Sequence, residues 1–270
     1  MMARSLFDGR TLAGWHAVPR VSTPLWPGGP HPDGQPNVEL AKLTAGAWEV
    51  DDGTIVGGQE HVGYGGYLLT DEEFGDFELT FDIRPDWPAD TGVVMRCTER
   101  GSQGYQVLID HRKSGAIGGF YGNGIGAFHA SAFNLDVATD EKGEAVGLRV
   151  ETPETTLEQI DPANVAQLAY HIDPQEFLRI WRFGDWNEFR VRCVGELPRL
   201  TSWINGVKAY DLDTQTMSFP HWSGEAALGL LGVKGHIALE VHDNEWPGMG
   251  EARWAPGAVS RWRNIRIEEL

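Results

Sequence analysis

Apolar and polar residues alternate along most of this chain, and turn-forming residues separate the alternating segments. In residues 77–85, Phe77, Leu79, Phe81 and Ile83 fall on one side and polar residues fall on the other. A period of two residues is that of a β-strand with one buried face. Similar segments predict further strands at 92–97, 104–110, 187–193, 201–212, 235–243 and 263–270.

Glycine, proline, asparagine and aspartate mark the connections between these segments. Asn205-Gly206 has the sequence of a two-residue hairpin turn, which divides residues 201–212 into two strands. Residues 19–37 are rich in proline and glycine and are expected to form a long loop. The Gly-x-Gly-x-Gly run within 119–128 has no predicted helix after it to complete a phosphate site, so we expect a flexible loop at the mouth of the fold.

A segment at about 134–185 breaks the alternation and is expected to be an insertion. Within it, Asp161 and Asp173 are each followed by proline, the sequence of a helix N-cap with proline at the first helical position. We therefore expect short helices at about 161–170 and 174–181, placed against one rim of the fold.

Strands that follow one another without intervening helices predict an all-β fold, a two-sheet antiparallel sandwich with a short helical insertion. The composition, with 41% apolar and 23% charged residues, is that of a globular protein. Neither an internal repeat nor a second composition block is visible, so residues 1–270 are expected to form one domain. A chain of this length buries a core large enough to need no disulfide or metal.

The charge balance is acidic, with 39 Asp and Glu against 22 Lys and Arg, a formal net charge of −17. Phosphate binding needs a basic face, so nucleic acid and anionic membranes are excluded as partners, and polyanionic sugars are disfavoured. A small neutral glycoside or oligosaccharide is the ligand that fits this charge best. The oligomeric state has no signal in the sequence.

The chain contains eleven tryptophans, and aromatic rings stack on the C–H faces of sugars. Large sandwiches also fill their cores with aromatic residues, and we assign more than half of the tryptophans, including Trp15 and Trp48, to packing. Trp203, at a polar position of its strand, and Trp186, just before a strand, are the better ligand candidates.

Cys97 and Cys193 both lie in apolar alternating segments, which favours two buried reduced thiols over a single disulfide bridge. The first residues lack the apolar run of a secretory signal, and no segment is long enough to span a bilayer. Both observations favour a cytoplasmic location, although a chain whose export signal had been removed would look the same.

Strand parity predicts which polar residues share an outer face. If Tyr105, Val107 and Ile109 point into the core, their neighbours point out of the sheet. The same reasoning applies to the strands at 92–97 and 235–243. Outward residues of a half-exposed sheet are polar in any case, so each residue alone is weak support for a site. The residues that would share one concave face are Arg96, Gln106, Asp110, Trp203, Asn205, Glu240 and His242.

Several sequence motifs of enzymes are absent from the chain. Zinc-binding His-Glu-x-x-His, paired Cys-x-x-Cys and nucleophilic Gly-x-Ser-x-Gly do not occur. The Glu-x-Asp-x-x-Glu strand of retaining β-glucanases is also missing, which counts against a pair of carboxylates about 5–5.5 Å apart acting on an ordinary glucan.

Eight segments occur in the order seen in the 3-keto-disaccharide hydrolase family, which this chain resembles from about residue 5 to its C-terminus. The resemblance implies a concanavalin-like jelly roll. It also implies activity on glycosides whose glucose ring has been oxidised at C3 by a separate enzyme. The segments are residues 7–15, 48–57, 90–96, 104–110, 184–191, 204–211, 235–243 and 261–270.

Three positions depart from the pattern of that family. Asp90-Thr91-Gly92 stands where the family usually has Asn-Ser-Gly, Gln106 where it has Glu, and Glu240 where it has Gln. A carboxylate and an amide have thus changed places between two strands. If the two positions are neighbours in space, the local charge is preserved; if they are not, the usual acid/base is lost.

The chemistry that the resemblance implies needs a base for the C2 proton, a cation for the enolate oxygen and an acid for the leaving oxygen. We expect Glu240 or Asp110 to be the base, Arg96 to stabilise the enolate and His242 to be the proton donor. The residues expected to hold the sugar are Gln106, Trp203, Asn205, Tyr121 and Trp186.

No cofactor is predicted, because no ligand cluster has standard metal spacing. A divalent ion aided by Asp110, Glu240 and His242 would polarise the C3 ketone and is the alternative. Two other functions compete with the 3-keto-glycoside enzyme. One is a non-catalytic carbohydrate-binding module, and the other is a conventional glycoside hydrolase or lyase acting on an unoxidised glycan.

Overall fold

The computed structural model describes residues 3–21, 41–244 and 249–270. Two antiparallel sheets make up most of these ranges, and a separate hairpin pairs β11 (Leu135–Thr139) with β12 (Ala145–Val150). The expected all-β, two-sheet antiparallel jelly-roll sandwich is confirmed. From residue 22 onward, the loop expected at 19–37 lies outside the described residues.

The first sheet, called the large sheet, has nine strands among the described residues. Its order along the sheet is β13-β16-β15-β14-β6-β18-β4-β3, and β1 pairs with β18 beside this path. The strands are β1 (Arg4–Ser5), β3 (Ala47–Asp51), β4 (Thr54–Gly58), β6 (Phe77–Pro85), β13 (Leu168–His171), β14 (Asn187–Val194), β15 (Arg199–Ile204), β16 (Val207–Asp213) and β18 (Val259–Glu269).

The second sheet, called the small sheet, has seven strands in the same ranges, in the order β10-β9-β8-β7-β17-β5-β2. Distant parts of the chain are neighbours in this sheet, since β7 lies between β8 and the late strand β17. The strands are β2 (Trp15–Pro19), β5 (Gly66–Thr70), β7 (Ala89–Cys97), β8 (Gly104–His111), β9 (Ile117–Asn123), β10 (His129–Ala130) and β17 (His236–Val241).

The core lies between the two sheets and confirms the parity expected for their central strands. Phe77, Phe81 and Ile83 of β6 are fully buried in one apolar cluster with Val107 of β8 and Leu239 of β17. The polar residues between them on β6 stay half-buried on the outer face of the large sheet. Because the side-chain period of a strand is two, this burial fixes which residues of β8 and β17 point away from the core.

The hairpin turn at Asn205-Gly206 is confirmed. Both residues adopt the left-handed conformation, with φ of 50° and 81°, and they join Ile204 directly to its partner Val207. Asparagine and glycine are the residues that tolerate this conformation best, which is why the dipeptide is a reliable turn signal.

Helices are short and few, as expected, but their positions differ in part from the prediction. α1 (Pro162–Val165) is a single turn, and the rest of the helix expected at 161–170 gives way to β13. α2 (Pro174–Ile180) matches the helix expected at 174–181, and Asp173 caps it by accepting from Gln175 N and Glu176 N. α3 (Gly224–Leu231) was not predicted, because its short apolar run carries a weak amphipathic pattern.

Other predictions concerned a glycine-rich loop, the two cysteines, two tryptophans and membrane-spanning segments. The flexible loop expected at 119–128 is wrong in its first half, where Gly119–Asn123 belong to β9. Cys97 and Cys193 are buried and free, Trp15 is buried in the core, and Trp48 packs partly buried against it. None of the helices in the described ranges has the length and apolar character needed to cross a bilayer.

Candidate functional site

The outer face of the small sheet carries a buried carboxylate at its centre, Glu240 of β17. The side chain is fully buried. Arg20 Nε donates to its Oε1 at 2.8 Å, the Tyr67 hydroxyl donates to Oε1 at 3.1 Å, and Gln106 Nε2 donates to Oε2. A buried carboxylate is costly unless cations and hydrogen bonds compensate it, and these three donors do so.

Gln106 reaches Glu240 across the intervening strand β7, and Gly92 makes this crossing feasible. The register places Gly92 opposite Leu108 on β8, two residues along from the pair of Val94 with Gln106, so that both side chains of β8 point to the same face. A Cβ on Gly92 would lie 2.2 Å from Gln106 Nε2, so any larger residue would collide with the amide. Gln106 Oε1 in turn accepts from Asn123 Nδ2 of β9, which fixes the orientation of the amide.

A second group of carboxyls lies further along β7 and β8. Asp90 and Asp110 are directly opposite each other in the register, both are buried, and their carboxyls are within hydrogen-bonding reach. Burial, together with the negative charge of Asp90, raises the pKa of Asp110 well above the ordinary value of an aspartate. A proton shared between two such carboxyls is the expected state of this pair.

The pKa of Asp90 moves in the opposite direction. Burial alone would raise it, but the positive charges of Arg112 and Arg253 outweigh burial and hold the pKa well below its usual range. Arg112 Nε donates to Asp90 Oδ2 at 2.7 Å, and Arg253 Nη1 lies 3.4 Å from the same oxygen. Asp90 is thus the ionised member of the pair and Asp110 the protonated one.

His242 and Asp243 connect the two groups. Arg20 Nη2 and Arg253 Nη1 each approach His242 Nε2 at 2.7 Å, and His242 Nδ1 lies 2.8 Å from the carbonyl oxygen of Asp243. A guanidinium only donates and a carbonyl only accepts, which assigns the His242 proton to Nδ1 and makes Nε2 an acceptor. Arg20 also donates to the Asp243 carboxylate.

The segment between β12 and α1 contributes one more carboxylate, Glu158. Its Oε1 accepts from Arg112 Nη2 at 2.9 Å and lies 3.9 Å from Arg253 Nη2. Arg253 Nε is buried without a hydrogen-bond partner among the described residues, and Nη2 has only the sulfur of Met249, at 3.4 Å, as an acceptor. Arg253 therefore keeps donor capacity within the site.

Two aromatic side chains complete the described part of the site. Tyr121 of β9 lies directly opposite Gln106 in the register, so its side chain shares the outer face of the small sheet, and burial raises the pKa of its hydroxyl. The Tyr121 ring meets the His129 ring edge to face at 6.1 Å. These rings give the polar face an apolar boundary.

Five residues predicted from the sequence meet on this face. Gln106 and Glu240 are in direct contact, Asp110 and His242 belong to the adjoining network, and Tyr121 lies opposite Gln106 in the register. The exchanged carboxylate and amide are therefore neighbours in space, and the local charge is preserved. The individual catalytic roles of these residues stay predictions.

Arg96 does not join them, and its expected position on this face is wrong. Its guanidinium donates to the carbonyl oxygens of Gly75 at 2.9 Å and Gly195 at 2.7 Å, and to Asp76 at 2.6 Å. β7 holds one extra residue between its pairings with Ala238 and His236, and Arg96 has a positive φ of 49°. A β-bulge of this kind reverses strand parity, so Cys97 packs with Val94 rather than in the main core.

Trp203 lies in a strand of the large sheet and Asn205 in its hairpin turn, so their expected place on one face with Glu240 is also wrong. Trp186, expected to hold the sugar, comes just before β14 of the same sheet. Trp203 of β15 packs against the Arg190 guanidinium, 4.0 Å from the ring centre. The Trp186 ring lies under Arg263 at 4.1 Å. Asn205 forms the hairpin turn, and its Nδ2 donates to the carbonyl oxygen of Ile180 at 2.7 Å. Parity identified outward residues but not which sheet they belong to.

Other residues of the site were missed from the sequence. For Arg112 a signal existed, because the outward series of β8 through Gln106, Leu108 and Asp110 continues to position 112. For residues outside the predicted strands no periodic signal existed. The missed residues are Arg20, Tyr67, Asp90 as a site member, Arg112, Asn123, Glu158, Asp243 and Arg253.

Three or more His, Cys, Asp or Glu side chains arranged to hold a metal ion do not occur within residues 3–21, 41–244 and 249–270. The carboxylates of the outer face are paired with arginines and amides instead. Arg20 and Gln106 thus occupy the two oxygens of Glu240, one of the carboxylates that the sequence suggested as metal ligands.

Solved structures similar to this chain include two glycosyl hydrolases and a carbohydrate-binding module, and the one with a TM-score of 0.51 supports the fold. A putative glycosyl hydrolase from Parabacteroides distasonis matches at 16% identity over 100% of both chains with a TM-score of 0.51. A glycosyl hydrolase family protein from Mycobacterium fortuitum matches at 13% identity over 99% of both chains with a TM-score of 0.46. A carbohydrate-binding module from Bacillus subtilis matches at 14% identity over 83% of this chain and 92% of that one, with a TM-score of 0.44.

At these identities the likeness is one of fold. The search of curated proteins found no match. The family model described as a 3-keto-alpha-glucoside-1,2-lyase-like domain matches residues 2–268, nearly the whole chain. The chain is therefore a carbohydrate-active, glycosyl hydrolase-like protein, and it belongs to the family of 3-keto-alpha-glucoside-1,2-lyase-like domains.

Proposed function

We propose that this protein is an enzyme that cleaves 3-keto-glycosides by removing the C2 proton, eliminating the C1 substituent and hydrating the product. The observation that carries the proposal is the buried Asp90–Asp110 pair, lying beside two arginines on the outer face of the small sheet. Membership of the family supports the substrate class.

Asp110 is the proposed acid/base. A ketone at C3 makes the C2 hydrogen acidic, so a carboxylate whose pKa is raised above the ordinary value of an aspartate suits both removal and return of a proton. The reaction begins from the ionised form of Asp110: the proton moves from C2 to its carboxylate, and the electron pair of the C2–H bond first forms the enolate. The pair then forms the C1–C2 double bond as the C1–O bond breaks. Water adds to this enone, and the sum is hydrolysis.

Arg253 and Arg112 take the role of enolate stabiliser that the sequence suggested for Arg96. Preorganised cationic donors in a buried site stabilise charge that develops on an oxygen far better than water does. Arg253 suits this role because its Nη2 has a weak sulfur acceptor and a carboxylate at 3.9 Å, which a developing oxyanion could replace.

The leaving oxygen needs a separate proton donor, and Tyr121 fits better than His242. Burial raises the pKa of Tyr121, so its hydroxyl keeps its proton at neutral pH. His242 Nε2 accepts from two arginines and carries no proton to give. Glu240 has both oxygens occupied and no exposed surface, so it acts as a positioning residue that holds Arg20 and Gln106.

The test compares turnover of a 3-keto-glucoside with turnover of its unoxidised parent. The wild type should act on the ketone alone and exchange the C2 hydrogen with solvent deuterium. Asp110→Asn should lower kcat by about 10²- to 10⁴-fold, the usual loss on removing a general base. Asp82→Asn is the matched control, because Asp82 is an arginine-paired carboxylate on the outer face of the large sheet.

The raised pKa of Asp110 adds a pH signature to the same test. The base must be ionised, so kcat/KM should fall on the acid side with a midpoint well above that of an ordinary aspartate, and Asp110→Asn should lose this limb. Sugar binding with no turnover would instead indicate a carbohydrate-binding module. Turnover of the unoxidised glycoside would indicate a conventional hydrolase or lyase, and either result overturns the proposal.

A further inference from the structure

Glu158 lies on the solvent side of the arginine pair. Its side chain is 27% exposed, whereas Arg112 is 3% and Arg253 is 8% exposed. Asp90 contacts the same two arginines from the buried side. A ligand that approaches Arg112 and Arg253 from solvent therefore meets the Glu158 carboxylate first.

The backbone around Glu158 is fixed to the rim of the small sheet. Asn134 Nδ2 donates to the Glu158 carbonyl oxygen and to Thr156 Oγ1, the latter at 2.9 Å. The Leu157 N–H donates to Ser114 Oγ at 2.8 Å. Glu158 is thus held over the arginines through its own carbonyl oxygen and the two residues before it, rather than reaching them from a free loop.

The charges around the pair balance only when Glu158 is counted. Arg112 and Arg253 contribute two positive charges, and the ionised Asp90 and Glu158 contribute two negative ones, with Asp110 protonated. Without Glu158, Asp90 would be the one ionised carboxylate of the described residues in ion-pair contact with these two guanidinium groups, since Glu240 and Asp243 pair with Arg20. Paired guanidinium groups are the donors that bind carboxylate, sulfate and phosphate best.

We propose that Glu158 is a specificity residue that excludes anionic sugars from the Arg112–Arg253 pair and reserves the pair for an uncharged ring. A substrate that arrives charged is repelled by Glu158 and must displace it. The C3 ketone oxygen of a neutral sugar becomes charged only during the reaction, so it can take the hydrogen bonds of Arg112 and Arg253 after the sugar is already bound. The identification of the ligand as a sugar rests on the proposed function, whereas the anion exclusion rests on the geometry alone.

The experiment measures sulfate binding by calorimetric titration, with inorganic sulfate as the probe because it needs no turnover. Wild type should bind sulfate only weakly, and Glu158→Gln should bind it roughly ten- to a hundredfold more tightly, as a charge-assisted contact gains its donors. Glu154→Gln is the matched control, since Glu154 is an exposed carboxylate of the same segment. Adding Arg253→Gln to Glu158→Gln should abolish the gain.

Two outcomes would overturn the inference. Equal sulfate binding by wild type, Glu158→Gln and Glu154→Gln would mean that Glu158 does not exclude anions from the two arginines. No binding by folded Glu158→Gln, with the wild-type circular dichroism spectrum, would mean that the arginines do not form an anion site. If Glu158→Gln gains sulfate while the wild type turns over no 3-keto-glucoside, the proposed function fails and this inference stands.

Discussion

Arg96 and Arg253 carry the same guanidinium group but meet different partners. Arg96 donates to three backbone carbonyls and one carboxylate, so its donors serve to join the ends of the two sheets. Arg253 keeps a buried Nε without a partner in the described part of the chain. Buried donors are nearly always satisfied, so an unsatisfied one beside carboxyl groups is a sign of a binding or catalytic role.

The contact between Gln106 and Glu240 gives a prediction about the stability of variants at these two positions. Glu240→Gln leaves Arg20 with Asp243 as its remaining buried carboxylate and should destabilise the fold by about 3–5 kcal/mol. Gln106→Glu places two carboxylates in contact and should also destabilise. The double variant restores one carboxylate and one amide and should recover most of the loss.

Urea unfolding of the four proteins measures this coupling as a double-mutant cycle. Additive losses would show that the two side chains do not share one pocket. Turnover of the 3-keto-glucoside should follow the same order, because Glu240 positions groups rather than receiving the proton. Loss of turnover in the double variant, despite full stability, would assign Glu240 a chemical role instead.

At the scale of the strand, alternation predicted the direction of most side chains but not their neighbours. β6, β8 and β17 have regular parity, so the inward residues and the outward Gln106, Asp110 and Glu240 followed from the sequence. β7 did not follow, because the bulge at Arg96 leaves no mark in the alternation of apolar residues. The pairing of strands from distant parts of the chain is a tertiary property, which periodicity does not contain.

Segments outside regular strands were predicted less well for related reasons. β9 is rich in glycine, so it has few apolar residues to alternate, and its second half reads as a loop. Arg20, Glu158 and Arg253 lie outside the predicted strands, and only the folded chain brings them to the small sheet. Local turn and cap signals, at Asn205-Gly206 and Asp173, were predicted well because they act through adjacent residues.

Gly92→Ala tests whether the missing side chain at position 92 is what allows Gln106 to pass over β7 and reach Glu240. The new Cβ would lie 2.2 Å from Gln106 Nε2, so the amide must leave and lose its bonds to Glu240 and Asn123. We expect a loss of stability of about 2 kcal/mol and lower turnover. Gly147→Ala is the control, because Gly147 also lies in a strand but has no atom within 4 Å of its added Cβ.

Repeating Gly92→Ala in a Gln106→Ala variant separates the steric clash with Gln106 from any effect of alanine on the backbone of β7. In Gln106→Ala the amide is absent, so Gly92→Ala should then cost no more than the control. An equal cost with and without Gln106 would show that glycine is needed by the backbone of β7 and not by the crossing.

At the scale of the molecule, the buried side chain of His111 is expected to make the stability of the fold depend on pH. His111, next to Asp110 in the chain, points instead toward a cleft of about 590 Å³ that Trp87 and Phe183 also line. Its Nδ1 donates to the Asp86 carbonyl oxygen at 2.7 Å, and its Nε2 is buried without a hydrogen-bond partner among the described residues. Burial lowers the pKa of His111 to about 4.

The sign of the effect follows from proton binding. Between the unfolded pKa of about 6.5 and the folded pKa of about 4, the unfolded chain binds the proton and the folded one does not. Stability contributed by the neutral ring, about 3 kcal/mol, is therefore present above this window and lost as the pH falls through it. Asp110, with its raised pKa, acts in the opposite direction.

His111→Gln should remove this loss while keeping a donor for Asp86. Urea unfolding of the variant between pH 4 and 6.5 should show a shallower fall in stability than the wild type. His171→Gln, which alters an exposed histidine on β13, should keep the wild-type slope. An unchanged slope in His111→Gln would assign the acid sensitivity to another group.

The contact between Gln106 and Glu240, which passes over Gly92 of β7, also bears on how the two positions can change together. The contact between positions 106 and 240 requires one carboxylate and one amide, but it does not say which strand supplies which. Against a sequence with glutamate at 106 and glutamine at 240, a column-by-column alignment would count two mismatches, although the pair would still hold one carboxylate and one amide. A route between the two arrangements by single substitutions passes through a chain with two carboxylates or two amides beside Arg20, one charge away from balance.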